Sequence, residues 1–70
     1  MISQNEMILA YLKAGFRITP REALDKFGCF RLGARIADLK KEGHRIESKI
    51  ITQGRKHFAE YKLLKEGMLL

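Results

Sequence analysis

The feature that most restricts this chain is a change of hydrophobic period at Gly43. Before it, Leu32, Ile36 and Leu39 fall at i, i+4 and i+7, one apolar stripe at about 3.6 residues per turn. After it, Ile46, Ile50 and Thr52 alternate with Arg45, Glu47 and Lys49, the pattern of a strand with one face toward a core. A return segment from Lys56 to about Leu64 puts Ala59, Tyr61 and Leu63 on one face and Phe58, Glu60 and Lys62 on the other, with Gln53-Gly54-Arg55 as the turn. The pattern predicts helices first and an antiparallel hairpin last.

Local signals divide the helical part. Ser3-Gln4-Asn5-Glu6 has the form of a capping box, in which the hydroxyl accepts from the third helical amide and the carboxylate reaches back. The helix that follows has Met7, Ile8, Tyr11 and Leu12 as its apolar face and runs to about Lys13, where Ala14-Gly15 offers a stop. Phe16-Arg17-Ile18 is either an extended connector or a strand of a single bridge. Thr19-Pro20-Arg21-Glu22 is a second capping box, strengthened by proline at the first helical position, where its missing N–H costs nothing. The short helix it opens carries Ala23, Leu24 and Phe27 inward and stops at Gly28. Cys29-Phe30 turns into a third helix, from Arg31 to a C-cap at Gly43. That turn has no Ser, Thr, Asp or Asn cap, so its free amides need water, backbone or an external acceptor such as a phosphate.

Seventy residues suffice for one small core, so the chain is expected to be a single domain over 1–70, with a core of about 3–64 and a tail of 65–70. Hydrophobic residues make up 46% and charged residues 31%, a globular balance rather than a disordered one. The single cysteine, Cys29, allows no intramolecular disulfide, which fits a reducing compartment. There is no apolar run of membrane-span length and no basic segment leading into an apolar leader, so a cytoplasmic location is expected.

The formal charge is +6, and +5 of it lies from Cys29 onward, where ten cations face five acids. A basic domain suits nucleic acid, an anionic surface or an acidic partner, and also describes an ordinary solvated surface. Topology narrows this. Two short helices joined by a Gly-containing turn, the second cationic, make a helix-turn-helix, and the hairpin beside it makes a wing. The fold class is thus mainly α with a small β-hairpin: three helices plus a C-terminal antiparallel wing.

Thr19-Pro20-Arg21-Glu22-Ala23-Leu24, Arg31-Leu32-Gly33-Ala34-Arg35-Ile36-Ala37-Asp38-Leu39, Gly43 with Ile46, and Tyr61-Lys62-Leu63 resemble, in order, the signature segments of the small winged helix-turn-helix proteins of bacteriophages and prophages. The resemblance spans roughly Asn5 to Leu64 and implies a DNA-binding fold used in phage regulation or recombination, without naming a target. Gly33 departs from the better helix former usual at that place, which raises the question of helix stability or of a close approach there.

With Leu32, Ile36 and Leu39 inward, the outward side of the third helix is Phe30, Ala34, Ala37 and Lys41. Arg31, Arg35 and Asp38 flank the core on one side, Gly33 and Lys40 on the other. The centre is small rather than rich in Asn, Gln or Arg, which argues against base reading by several bidentate side chains. Arg31 and Arg35 can also pair with Asp38. The expected DNA contacts are Phe30, Arg31, Ala34, Arg35, Lys40, Lys41 and Arg45 from the helix and the start of the strand, and Arg55, Lys56 and His57 from the wing, with double-stranded DNA as partner.

A rival reading is an adaptor that binds a host or phage protein and uses the fold as a scaffold. Ile51 and Phe58 lie on the wing face opposite Ile46, Ile50, Tyr61 and Leu63, and either pair across the hairpin or, if exposed with Met68, Leu69 and Leu70, form an apolar patch for a dimer or protein partner. Cys29, His44 and His57 match no zinc spacing, and no nucleophile, phosphate loop or carboxylate pair stands out, so neither cofactor, metal nor catalysis is expected.

Overall fold

The computed structural model describes residues 3–64, in the order α1 (Gln4–Lys13), α2 (Pro20–Phe27), α3 (Leu32–Lys41), β1 (Ile46–Gln53) and β2 (Lys56–Leu63). Both capping boxes close. At α1 the Glu6 amide donates to Ser3 Oγ and the Ser3 amide to Glu6 Oε1, each at 3.1 Å. At α2 the Glu22 amide donates to Thr19 Oγ1 at 3.3 Å, the Thr19 amide donates to Glu22 Oε1 at 3.1 Å, and Pro20 opens the helix.

The core is built where these elements converge. Ile8 and Leu12 of α1, Ile18 of the connector, Ala23 and Cys29, the Leu32, Ile36 and Leu39 stripe of α3, and Ile46 at the start of β1 are all buried. Leu9, Tyr11, Phe27, Tyr61 and Leu63 close around them, half-buried. The connector forms a single bridge: Ile18 and Tyr61 exchange backbone hydrogen bonds of 2.9 and 2.8 Å, and Arg17 reaches Glu60 at 3.5 Å. One fully buried residue thereby ties the helices to the hairpin.

β1 and β2 are antiparallel, with the faces the alternation implies, and pair from Ile46 opposite Leu63 to Gln53 opposite Lys56, so that Gln53, expected in the turn, is the last paired residue of β1. The turn is the two residues Gly54 and Arg55, with a positive φ of 59° at Gly54 and none at Arg55, the dihedral pattern that glycine at the first central position provides.

Two expected core positions are corrected. Leu24, expected inward with Ala23 and Phe27, is 40% exposed. It stands about 100° around the helix from Ala23, and an eight-residue helix that buries one edge leaves that side in water. Ile50, on the inward face of β1 by alternation, is 67% exposed. The hairpin outruns the helices: burial at Ile46 is gone by Ile50, one face-repeat beyond Ser48.

Candidate nucleic-acid interface

The turn between α2 and α3 is set by Gly28, whose φ of 63° ends α2. The Gly28 amide donates to Leu24 O at 2.9 Å and the Cys29 amide to Ala23 O at 3.1 Å, while the Gln4 side-chain amide donates to Phe27 O and Gly28 O at 3.3 Å. α1 thus clamps the turn from behind. The Cys29 side chain is buried, which anchors the turn and leaves Phe30 outside, 85% exposed beside Pro20, Arg21, Leu24 and Asp25. Phe30 precedes the N-cap, so it stands on the turn rather than on the helix proper.

Arg31 is the N-cap of α3, with no side-chain cap; its carbonyl accepts from the Ala34 and Arg35 amides at 3.1 and 3.2 Å. The helix begins one residue later than the pattern suggests and ends at Lys41, with Glu42 as C-cap and Gly43 following at a positive φ of 100°. Lys40 and Lys41 lie in the last turn, where cations complement the helix dipole.

Around α3 the surface falls into three strips. Arg35 and Asp38 form the seam with α1: their side chains pair at 3.2 Å, and Asp38 also accepts from the Asn5 side chain at 3.4 Å. Arg35 is half-buried, its Nε shut away from solvent, so this expected DNA contact is occupied in holding two helices together. The opposite strip meets the wing at Gly33. A Cβ built there would lie 4.0 Å from the Tyr61 hydroxyl, an ordinary contact, and its φ is not in the left-handed region. No close approach therefore demands glycine within the domain. Gly33→Ala is expected to raise stability by about 0.5–1 kcal/mol, the helix-propensity difference, read as a rise of several degrees in Tm.

Between these strips lies the exposed face: Ala34, Ala37 and Lys41, with Arg31 and Lys40 at its borders and Phe30 at its head. Arg45 continues it, exposed, to the start of β1. On the wing, Arg55, Lys56 and His57 are all exposed at the tip, and Thr52 Oγ1 lies 3.2 Å from His57 Nδ1. The ion pairs of the described residues engage Arg17, Arg21, Arg35 and His44, whereas Arg31, Lys40, Lys41, Arg45, Arg55 and Lys56 have no acidic partner there. Two further contributors escaped the sequence pattern: Leu24 beside Phe30, and the Tyr61 hydroxyl beside Gly33. Neither has a sequence signal, because each depends on how a helix edge meets a segment distant in the chain.

The other face of the hairpin carries the expected pair. Ile51 and Phe58 are opposite each other in register and half-buried, and with Thr19, Pro20, Arg21 and Glu22 they line a groove of about 690 Å³ between α2 and the wing. Met68, Leu69 and Leu70, expected to extend that patch, lie outside the described residues. Among the described residues, no group of His, Cys, Asp or Glu gathers in a way that could hold a metal ion, and no helix is long and apolar enough to cross a membrane.

A family model described as a winged helix-turn-helix domain matches residues 3–66. Searches of the curated proteins and of the solved structures returned no match.

Proposed function

Because the chain belongs to the winged helix-turn-helix domain family, we propose that it binds double-stranded DNA without catalysing a reaction, as a regulator or recombination accessory protein of phage or prophage type. The observation that carries this reading is the sorting of charge. Arg17 on the connector and Arg35 on the seam are paired, while Arg31, Lys40, Lys41, Arg45, Arg55 and Lys56 are exposed and, like Lys13, Lys26, Lys49 and Lys62 elsewhere, lack acidic partners among the described residues. The six unpaired cations of α3, the start of β1 and the wing tip leave this part of the molecule with uncompensated positive charge, which gains on meeting a polyanion. The phage or prophage role rests on the signature segments alone.

In the proposed mode α3 enters the major groove, as the second helix of a helix-turn-helix does, with Arg31, Lys40, Lys41 and Arg45 against phosphates. The wing tip reaches the backbone or the neighbouring minor groove. Titrating affinity for a random-sequence duplex against salt tests this directly, because each phosphate contact contributes about 0.9 to the fall of log affinity with log salt. Binding that weakens steeply is expected. An absence of binding at low salt by a folded sample would instead favour the adaptor reading, for which the Ile51 and Phe58 groove is the supporting observation.

The wing makes a separate test. Arg55→Ala with Lys56→Ala should leave the melting temperature nearly unchanged, since solvated substitutions rarely exceed about 0.5 kcal/mol. The salt slope should shrink by up to about 1.8 as two contacts are lost. A larger loss on A·T-rich sites would place Arg55 in a narrow minor groove. An unchanged slope would remove the wing from the interface.

A further inference from the structure

Resting on the duplex-DNA reading above, we propose that this domain selects its sites by apolar contact with the C5-methyl group of thymine, made by the Phe30 ring with Ala34 one turn into α3. In the major groove, base edges present hydrogen-bond donors and acceptors, and thymine alone among the four bases adds a methyl group. Reading the polar edges requires side chains that donate or accept. The face between Arg31 and Lys40 offers Ala34 and Ala37, which do neither, and in its last turn Lys41, a single flexible donor that cannot accept. Asp38 and Arg35, on the α1 side of that face, are engaged with each other at 3.2 Å, and Asp38 also with Asn5.

What this surface does present is an aromatic ring at its head. Phe30 is 85% exposed, the most exposed large hydrophobic residue among the described residues, and it is continued by Leu24, 40% exposed on α2. The burial of Cys29 on one side and of Leu32 on the other fixes the turn so that Phe30 cannot fold into the core. Arg31 follows the ring at the head of α3 and Lys40 and Lys41 stand beyond the alanines in its last turn, so phosphate attraction at both ends would bring this face against a groove floor rather than against another protein. There the complementary group is a methyl, and a ring left in water recovers its hydration cost by covering one.

The test uses the intact chain and four 20-base-pair probes of equal charge: an alternating A·T duplex, the same duplex with deoxyuridine for thymidine, an alternating G·C duplex, and that duplex with 5-methylcytosine. Anisotropy titrations at a single salt concentration are compared. Expected is a loss of roughly fourfold for each contacted methyl on going from thymine to uracil, and a matching gain when cytosine carries the methyl. Phe30→Ala should abolish most of the thymine-over-uracil difference while its melting temperature stays at the wild-type value, and Phe30→Leu should retain part of the difference. Equal affinity for thymine and uracil duplexes overturns the inference and leaves the duplex reading standing. A thymine preference undiminished in Phe30→Ala overturns it as well, by taking the ring out of the contact. Failure to bind any of the probes at low salt overturns the duplex reading itself, and the inference with it.

Discussion

Replacing Arg31, Lys40 and Lys41 together with alanine is expected to weaken binding to random duplex DNA roughly a hundredfold near 0.15 M salt and to cut the salt slope by up to about 2.7. The estimate follows from counterion release. Each phosphate contact contributes about 0.9 to the slope, and between a molar reference and physiological salt that amounts to about fivefold per contact. All three side chains are exposed and have no acidic partner among the described residues, so removing them leaves no buried charge stranded. Stability should fall slightly, because Lys40 and Lys41 face the negative end of the α3 dipole, worth about 0.3–1 kcal/mol each. Titrations below the transition temperature keep that cost out of the affinity. An unchanged slope in the folded triple variant would remove α3 from the DNA surface.

Leu39→Ala and Ile50→Ala form the second expected contrast. Both leucine and isoleucine stand on an inward face by periodicity, yet Leu39 is 1% exposed and Ile50 67%. Truncating Leu39 removes transfer energy and leaves a cavity in the buried core, costing about 2–5 kcal/mol. Domains of this size sit toward the low end of the usual 5–15 kcal/mol, so the variant should lose 10 °C or more in Tm, or its cooperative transition altogether, by roughly the 4–8 °C per kcal/mol of small domains. Ile50→Ala gives up only the buried third of a side chain and should cost less than about 1 kcal/mol. Chemical denaturation of both decides it. Equal losses would mean that the wing is packed along its whole length.

Local chemistry made much of this architecture legible. The boxes at Ser3 and Thr19, the stops at Gly15, Gly28 and Gly43, and the hairpin turn at Gly54 are interactions among residues a few positions apart, so reading them needs no knowledge of the fold. Alternation after Gly43 likewise put Ile51 and Phe58 on one face of the hairpin, because a one-residue slip would exchange the two faces, while the register that sets them opposite each other came from the structure.

Tertiary structure decided what periodicity cannot carry: how far the core extends along each element. Ile50 and Leu24 obey inward patterns and are left in water, since a strand that projects past its helices and a helix that buries one edge run out of partners. The single bridge between Ile18 and Tyr61, the pairing of Arg35 with Asp38 and Asn5, and the place of Tyr61 beside Gly33 join residues far apart in the chain or choose among equally charged neighbours. The sequence by itself thus determined the order of elements, the two faces of the hairpin and the excess of cations after Cys29. Which of those cations is consumed in the fold and which is left to meet a partner depends on distances between segments, and only packing sets those.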